Sequence, residues 1–129
     1  MIVDTSAIVA ILFNEPDAAT YAKAIADADI RRMSAATYVE ASIVIESNTK
    51  AGGTREFDAF VRRAGLSIEP VTEEQAHLAR QAYTDYGRGR HPAGLNYGDC
   101  FPYALAIATG EPLLFKGSDF KKTDVLRAL

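Results

Sequence analysis

The hydrophobic residues of this chain fall into short apolar runs and into longer segments where they recur at helical spacing. Short runs that end at polar or turn residues predict strands at Met1–Val3, Ile30–Ser34, Leu66–Val71 and Leu113–Phe115. Helical periodicity predicts helices over Ala7–Phe13, Ala18–Ala28, Ser34 to about Lys50, Thr54–Ala64, Thr72 to about Tyr86, and Tyr97–Thr109. Strands and helices therefore alternate along most of the chain.

Polar residues at the predicted helix starts supply the N-caps. The expected caps are Thr5 or Ser6, Ser34, Thr72 with Gln75 as a capping box, and Asn96. Gly52–Gly53 is expected to end the third helix, and the glycine-rich segment 87–94 is predicted to be a loop.

This alternation predicts an α/β fold, a three-layer α/β/α sandwich with a central parallel sheet. A chain of 129 residues fits one domain, spanning 1–129. In open parallel sheets, ligands bind outside the carboxyl ends of the strands. Functional side chains are therefore expected at that edge.

Composition narrows the class of protein. The chain has no run of 18 apolar residues and no charged segment before an apolar stretch, which argues against a membrane span and a secretion signal. The only cysteine, Cys100, lies in an apolar run and is interpreted as a small buried side chain, so a cytoplasmic location is expected. A net charge of −3 has the wrong sign for binding nucleic acid by charge alone. A polyanion would have to be held locally, by a metal ion or a basic patch.

Three aspartates are predicted to lie at the carboxyl edge of the sheet. Asp4 follows the first strand, Asp119 lies just beyond the last strand, and Asp99 falls in the first turn of the last helix. Each has a simpler explanation, since Asp4 could be an N-cap, Asp99 could favour the helix dipole and Asp119 could serve a turn. Their predicted coincidence on one edge favours a shared site.

Glu40 is the fourth acidic candidate, on a helix whose neighbouring positions Ala36, Ile43 and Val44 are apolar. If it is not simply a surface residue, its carboxylate should either protonate or have a cationic partner. Mg²⁺ and Mn²⁺ take oxygen ligands and can activate water at a phosphodiester, so these acids predict a divalent-metal site. Glu46 lies about 120° around the same helix and cannot readily share that ion.

Four segments carry a family resemblance: Val3-Asp4-Thr5-Ser6-Ala7, Tyr38-Val39-Glu40-Ala41, Leu95-Asn96-Tyr97-Gly98-Asp99-Cys100 and Leu113-Leu114-Phe115-Lys116-Gly117-Ser118-Asp119-Phe120. Together they resemble PIN-domain ribonucleases of the VapC type, the toxins of bacterial toxin–antitoxin pairs. The resemblance implies a PIN-like fold in which Asp4, Glu40, Asp99 and Asp119 hold Mg²⁺ or Mn²⁺. It also implies RNA hydrolysis by a metal-activated water, leaving a 5′-phosphate and a 3′-hydroxyl.

The same resemblance implies supporting residues and partners. Thr5 or Ser6 would orient water or a carboxylate around the metal ligands. Ser118 stands where related proteins often carry asparagine, and Asp124 resembles a recurring position but is equally expected as a surface residue. The family commonly forms homodimers, for which the helix from Ser34, apolar nearly all round, offers a surface. A small antitoxin is expected to place an arginine or another cation against the acids.

Basic side chains near the predicted edge are candidates for binding RNA phosphates. They are Arg88, Arg90 and His91 in the loop before Asp99, and Lys116, Lys121 and Lys122 around Asp119, although each could simply be solvated. The aromatic residues Phe13, Tyr38, Phe101 and Tyr103 are expected in the core or in subunit contacts rather than stacked on bases. His77 is assigned no role.

Other functions fit the sequence less well. A receiver-type signalling module needs an aspartate after a middle strand, and neither Ile30–Ser34 nor Leu66–Val71 ends in one. An aspartyl phosphatase needs a second acid two residues after Asp4, where Ser6 stands. The main alternative is a PIN-like module that binds RNA or protein without turnover, and the presence of all four acids argues against it.

Overall fold

A computed structural model describes residues 1–129 and has a four-stranded parallel sheet at its centre. The strands are β1 (Ile2–Val3), β2 (Arg32–Ser34), β3 (Ser67–Glu69) and β4 (Leu113–Leu114), in the order β3-β2-β1-β4. The register pairs Ile2 with both Arg32 and Leu113. The helices are α1 (Thr5–Leu12), α2 (Ala18–Asp27), α3 (Ala35–Asn48), α4 (Gly53–Ala64), α5 (Glu73–Tyr86), α6 (Cys100–Thr109) and a 3₁₀ helix over Asp119–Lys122.

Helices cover both faces of the sheet, which confirms the predicted α/β/α sandwich. Successive strand residues point to opposite faces, so Ile2 and Leu113 pack in one core cluster while Val3 and Leu114 pack in the other. The first cluster takes its helical members from α5, α6 and the 3₁₀ helix, and the second takes them from α1 to α4. The two short central strands are fully buried by these layers, as their uninterrupted apolar sequence predicts.

Two predicted helix starts were wrong. The N-cap of α1 is Asp4, whose carboxylate accepts the Ser6 N–H at 3.0 Å, and not Thr5 or Ser6. The last helix begins at Cys100 and not at Tyr97, because the turn before it is closed by tighter bonds from Cys100 N–H to the Tyr97 carbonyl and from Phe101 N–H to the Gly98 carbonyl. The predicted cap is nevertheless present: Asn96 Oδ1 accepts the Asp99 N–H at 2.9 Å and Asp99 Oδ2 accepts the Asn96 N–H at 3.0 Å.

The other predicted caps have mixed outcomes. Ser34 caps α3 and Thr72 caps α5, each through its hydroxyl oxygen, as predicted. The capping box at Thr72 is only half formed, since the Gln75 Oε1 atom has no hydrogen-bond partner. Strands β2 and β3 are shorter than the apolar runs that predict them.

Charged side chains secure the amino-terminal edge of the sheet. Arg32 on β2 bridges Glu69 at 2.9 Å and Glu111 at 2.8 Å, and the Met1 amino group also contacts Glu111 at 2.7 Å. Arg31 donates hydrogen bonds to backbone carbonyls near the ends of α2 and α4. These cations stand at the amino-terminal edge and its flanking helix ends, and the acidic candidates follow the opposite ends of the strands.

None of the helices combines the length and the hydropathy needed to cross a bilayer. Cys100 is buried and unpaired in the α6 cluster, as expected for a packing residue.

Candidate active site

Asp4 is the most deeply buried acid of the candidate site. It follows β1 directly, caps α1 and is only 5% exposed. Burial raises the pKa of its carboxyl group to about 6, even though hydrogen bonds from the Ser6 hydroxyl and N–H oppose the shift, and the nearby charge of Glu40 adds to it. Asp4 is therefore both the N-cap and a perturbed carboxylate. The two explanations that the sequence offered are not exclusive.

Ser6 links Asp4 to the loop that follows β4. Its hydroxyl donates to Asp4 Oδ2 at 2.6 Å and accepts the Lys116 backbone N–H at 2.9 Å. The loop from Lys116 continues directly into Asp119, the first residue of the 3₁₀ helix, which is exposed. One hydroxyl thus fixes the rotamer of the buried acid and ties down the loop leading to the exposed one.

Glu40 reaches from α3 into the same region. Its Oε1 atom accepts the Thr5 hydroxyl at 2.5 Å, and a β-carbon built on Gly98 would lie only 1.7 Å from its Oε2 atom. The Glu40 carboxylate therefore lies against the backbone just before Asp99. The site needs glycine at position 98, because any side chain there would displace the Glu40 carboxylate. The sequence analysis did not predict this role, and its only indication was a glycine next to an acid at the start of a helix.

The Asp99 carboxyl group lies within the electrostatic influence of the other three acids. Its pKa is raised to about 7, chiefly by burial, and the negative charges of Asp4, Asp119 and Glu40 raise it further. Contacts agree with this: Glu40 lies against Gly98, the residue before Asp99, and Ser6 joins Asp4 to the loop that leads to Asp119. The structure therefore brings together the four acids that the sequence predicted from four separate segments.

No cation of the protein neutralises this cluster, because none of the four carboxylates takes part in a salt bridge. The carboxylates are not in a preformed metal-ligating arrangement, since no three acidic, histidine or cysteine side chains stand ready to hold an ion. Glu40 is turned to the Thr5 hydroxyl and Asp99 to the Asn96 N–H. The all-oxygen donor set and the uncompensated charge are of the kind that suits a hard divalent cation.

Comparison with known proteins identifies the family. The profile of the PIN domain family matches residues 1–126. Ribonuclease VapC28 of Mycobacterium tuberculosis is 59% identical over the whole chain and 98% of the relative, and ribonuclease VapC of Mycolicibacterium smegmatis is 55% identical over 97% of each.

This chain belongs to the PIN-domain family. Its similarity to curated VapC ribonucleases extends over the full chain. The fold agrees with solved PIN structures, because the chain superposes on Mycobacterium tuberculosis VapC20, a "Sarcin-Ricin loop cleaving toxin", with a TM-score of 0.79 and 15% identity over 97% of this chain and 95% of that one. The chain also superposes on a chain of a toxin–antitoxin complex from Klebsiella pneumoniae, with a TM-score of 0.70 and 15% identity over 99% of this chain and 97% of that one. At this identity the two structures support the fold alone.

The basic candidates lie in varied surroundings in this PIN domain. The Lys116 ammonium is paired with Glu15 and with Asp17, whose carboxylates lie on the chain just after α1. Arg88 is exposed, and the Arg90 guanidinium lies 5.9 Å from the centre of the Tyr83 ring. Lys116 therefore braces the loop before Asp119, while Arg88 and Arg90 stay open to an anionic ligand.

Of the remaining basic candidates, His91 is held by contacts within the protein, whereas Lys121 and Lys122 are open to solvent. The His91 ring accepts the Ala93 N–H at 3.0 Å and packs edge-on to Tyr86, so it is engaged within its own loop. Lys121 and Lys122 are exposed in the 3₁₀ helix.

Three further polar or acidic residues considered in the sequence analysis make no contact with the four acids; they are Asp124, Ser118 and Glu46. Asp124 accepts the Tyr103 hydroxyl at 2.7 Å and is not among the charges acting on Asp99, so it anchors the carboxyl-terminal segment to α6. Ser118 is exposed and its side chain makes no cap bond. Glu46 is exposed and lines a separate cavity with the loop before α4, in agreement with its predicted position around the helix from Glu40.

The aromatic residues were mostly predicted correctly. Phe13, Tyr38 and Tyr103 pack in the two core clusters, and Tyr38 stacks on Phe57. Phe101 is half-buried and packs edge-on against Tyr97, a residue that sequence reasoning did not single out.

Proposed function

We propose that this PIN domain is a divalent-metal-dependent endoribonuclease, with Mg²⁺ as the working ion and Mn²⁺ as a substitute. One observation carries the proposal: four carboxylates from separate elements converge without any protein cation to balance them. Clustered acids alone would repel a phosphodiester, so a bound cation is needed to offset their charge and to contact the phosphate directly. The ribonuclease names of its relatives support RNA as the substrate.

Each acid has a part in this proposal. Asp4, Glu40, Asp99 and Asp119 would hold the ion directly or through water. When bound, the ion would supply Lewis-acid chemistry, polarising the phosphodiester and lowering the pKa of a water that attacks it. The products would carry a 5′-phosphate and a 3′-hydroxyl.

The protein side of the mechanism is positioning. Ser6 holds the Asp4 carboxylate in one rotamer, and Thr5 orients Glu40. Gly98 leaves the space that the Glu40 carboxylate needs beside Asp99. Such partners of metal ligands keep the donor atoms aimed at one point, and their loss commonly costs 10- to 100-fold in affinity or activity.

Cleavage of RNA by the Asp99→Asn variant tests the proposal. We expect the parent to cleave single-stranded RNA with Mg²⁺, to lose activity in EDTA and to regain it with Mn²⁺. Asp99→Asn should lower the cleavage rate at least about 100-fold, because the substitution removes a ligand while keeping its shape. Glu46→Gln, an exposed acid elsewhere, is the matched control and should cleave like the parent. Equal cleavage by Asp99→Asn and parent would refute the assignment.

We also propose an antitoxin as protein partner, in a cytoplasmic toxin–antitoxin pair. The uncompensated acid cluster is a target for an arginine or another cation of that partner. The structural similarity to a chain of a Klebsiella pneumoniae toxin–antitoxin complex is consistent with such a pair. Co-expression with the neighbouring reading frame should relieve growth arrest, and Asp99→Asn should not arrest growth at all. Arrest that no neighbouring gene relieves would count against the partner.

A homodimer is the oligomeric state that we propose, through the exposed face of α3. Val39 and Ile43 are 54% and 58% exposed and border a cavity of about 280 Å³ together with Tyr97 and Phe101. Ile43→Glu should convert a dimer to a monomer in light scattering, whereas Leu126→Glu, at another exposed apolar position, should not. A parent that is monomeric at all concentrations would contradict this.

A further inference from the structure

Lys116 is held from two sides in the loop that follows β4. Its ammonium group pairs with the carboxylates of Glu15 and of Asp17, the latter at 2.8 Å. Its backbone N–H donates to the Ser6 hydroxyl oxygen at 2.9 Å, and that hydroxyl donates in turn to Asp4 Oδ2 at 2.6 Å. A continuous chain of polar contacts therefore runs from the turn after α1 to the most deeply buried acid of the candidate site.

Asp17 makes this contact at the expense of its own helix. It occupies the N-cap position of α2, where an aspartate usually accepts a backbone N–H of the first turn, but its side chain makes no such bond. The carboxylate accepts a hydrogen bond from the Lys116 ammonium group instead. The pairing with Lys116 therefore replaces the local cap.

Global stability is only a small part of what this arrangement can provide. All three side chains are partly exposed, and ion pairs that are open to solvent contribute little to the free energy of folding. Two carboxylates also outnumber the one ammonium group, so the three residues offer no net attraction to an anionic substrate. Their distinctive feature is their effect on the backbone of the loop. Gly117, at φ 103°, turns that loop towards Asp119 directly after Lys116.

We propose that the ion-pair group of Lys116, Glu15 and Asp17, here called the lysine clamp, sets how tightly the four acids bind their divalent ion. It acts by holding the Lys116 N–H on Ser6, whose hydroxyl fixes the rotamer of Asp4. Partners of metal ligands keep the donor atoms aimed at one point, and the lysine clamp immobilises such a partner. Its members are positioning residues, one contact beyond Ser6. The inference rests on the proposed divalent-ion site and deepens it.

Calorimetric titration of Mn²⁺ into RNA-free Lys116→Met tests the lysine clamp, because charge and positioning predict opposite results. Removal of a positive charge near the acids should by itself strengthen cation binding. Loss of positioning should weaken it by at least about fivefold, below or near the 10- to 100-fold that loss of a direct partner of a metal ligand commonly costs. Lys116→Arg, which can keep both ion pairs, should bind Mn²⁺ within about twofold of the parent. Lys23→Met, which removes the exposed ion pair with Asp27, is the matched control and should bind Mn²⁺ as the parent does.

A double-variant cycle with Ser6→Ala tests whether the lysine clamp acts through the Ser6 hydroxyl. In that background the backbone N–H of residue 116 has lost its acceptor, so Lys116→Met should change Mn²⁺ affinity by less than about twofold. An equal loss of affinity with and without the Ser6 hydroxyl would overturn the proposal. Unchanged or tighter Mn²⁺ binding by Lys116→Met alone would also overturn it.

Hydrogen exchange in EDTA gives a readout that needs neither the ion nor catalysis. In Lys116→Met, the backbone amides of Ser6 and of residue 116 should accelerate several times more than the amide of Ile2, which bonds to the Pro112 carbonyl in the sheet. Equal acceleration of all three amides would reveal a loss of global stability alone and would overturn the lysine clamp.

Failure of the lysine clamp is distinguishable from failure of the proposed function. If the parent binds Mn²⁺ and cleaves RNA, and Lys116→Met does both unchanged, the lysine clamp is wrong and the ribonuclease stands. If the parent binds neither Mg²⁺ nor Mn²⁺ saturably and cleaves no RNA, the function fails and the lysine clamp fails with it.

Discussion

Replacement of Asp4 by asparagine should stabilise the metal-free protein at alkaline pH. Burial raises the pKa of Asp4 from 3.8 to about 6, so the folded state binds this proton more tightly than the unfolded state does. Stability from this group is complete below about pH 4 and is lost as pH rises through about 6. At 1.36 kcal/mol per pKa unit, the ionised carboxylate costs roughly 3 kcal/mol above that pH.

Asparagine removes that cost while keeping an oxygen that can accept the Ser6 hydrogen bonds. We therefore expect Asp4→Asn to raise the free energy of unfolding by about 1 to 3 kcal/mol at pH 8. At pH 4 the gain should be much smaller, because Asp4 of the folded parent is then almost fully protonated and carries no buried charge.

Urea denaturation in EDTA at pH 4 and pH 8 measures this difference, with Asp29→Asn, an exposed aspartate, as the control that should change little at either pH. A variant less stable than the parent at pH 8, or one with the same gain at both pH values, would refute the electrostatic reasoning.

Further predictions concern the residues that position the acids and the effect of the ion. Ser6→Ala should lower RNA cleavage about 10-fold or more in initial-rate assays, because Asp4 loses a hydrogen bond of 2.6 Å. Gly98→Ala should lower cleavage by at least a similar factor while the circular dichroism spectrum stays native, because its β-carbon would displace the Glu40 carboxylate; full activity would show that Glu40 needs no fixed place. Lys116→Met should lower Tm, because the ion pairs with Glu15 and Asp17 are lost, but it should leave RNA affinity within about twofold. A tenfold loss of affinity would show instead that Lys116 contacts the RNA. Mg²⁺ at a concentration that just saturates the parent at pH 8 should raise the Tm of the parent more than that of Asp4→Asn.

Much of the fold and the acid cluster could be predicted because their signals are local. Two buried strands are continuous apolar runs, and Asp4 and Asp119 follow them closely enough to be placed at the carboxyl edge. The topology of a parallel sheet then brings those residues together without any knowledge of side-chain contacts. Glu40 could be assigned to the site because it is an acid among mostly apolar positions of its helix.

The rest depends on contacts between distant segments. Lys116 pairs with Glu15 and Asp17 about a hundred residues away, and nothing in its own neighbourhood indicates this. The bond from Tyr103 to Asp124 is equally non-local.

The start of α6 was misplaced for a different reason. Asn96 forms the predicted cap with Asp99, but the first turn after it is closed by i→i−3 bonds, which the apolar spacing does not distinguish from an α-helical turn.

Calorimetric titration of Mn²⁺ into the RNA-free protein tests most directly whether the four acids hold a divalent ion. We expect saturable binding by the parent, at least tenfold weaker binding by Asp4→Asn and by Asp99→Asn, and unchanged binding by Glu46→Gln. Binding that persists undiminished in both aspartate variants, or no saturable binding by the parent at all, would contradict the proposed metal site.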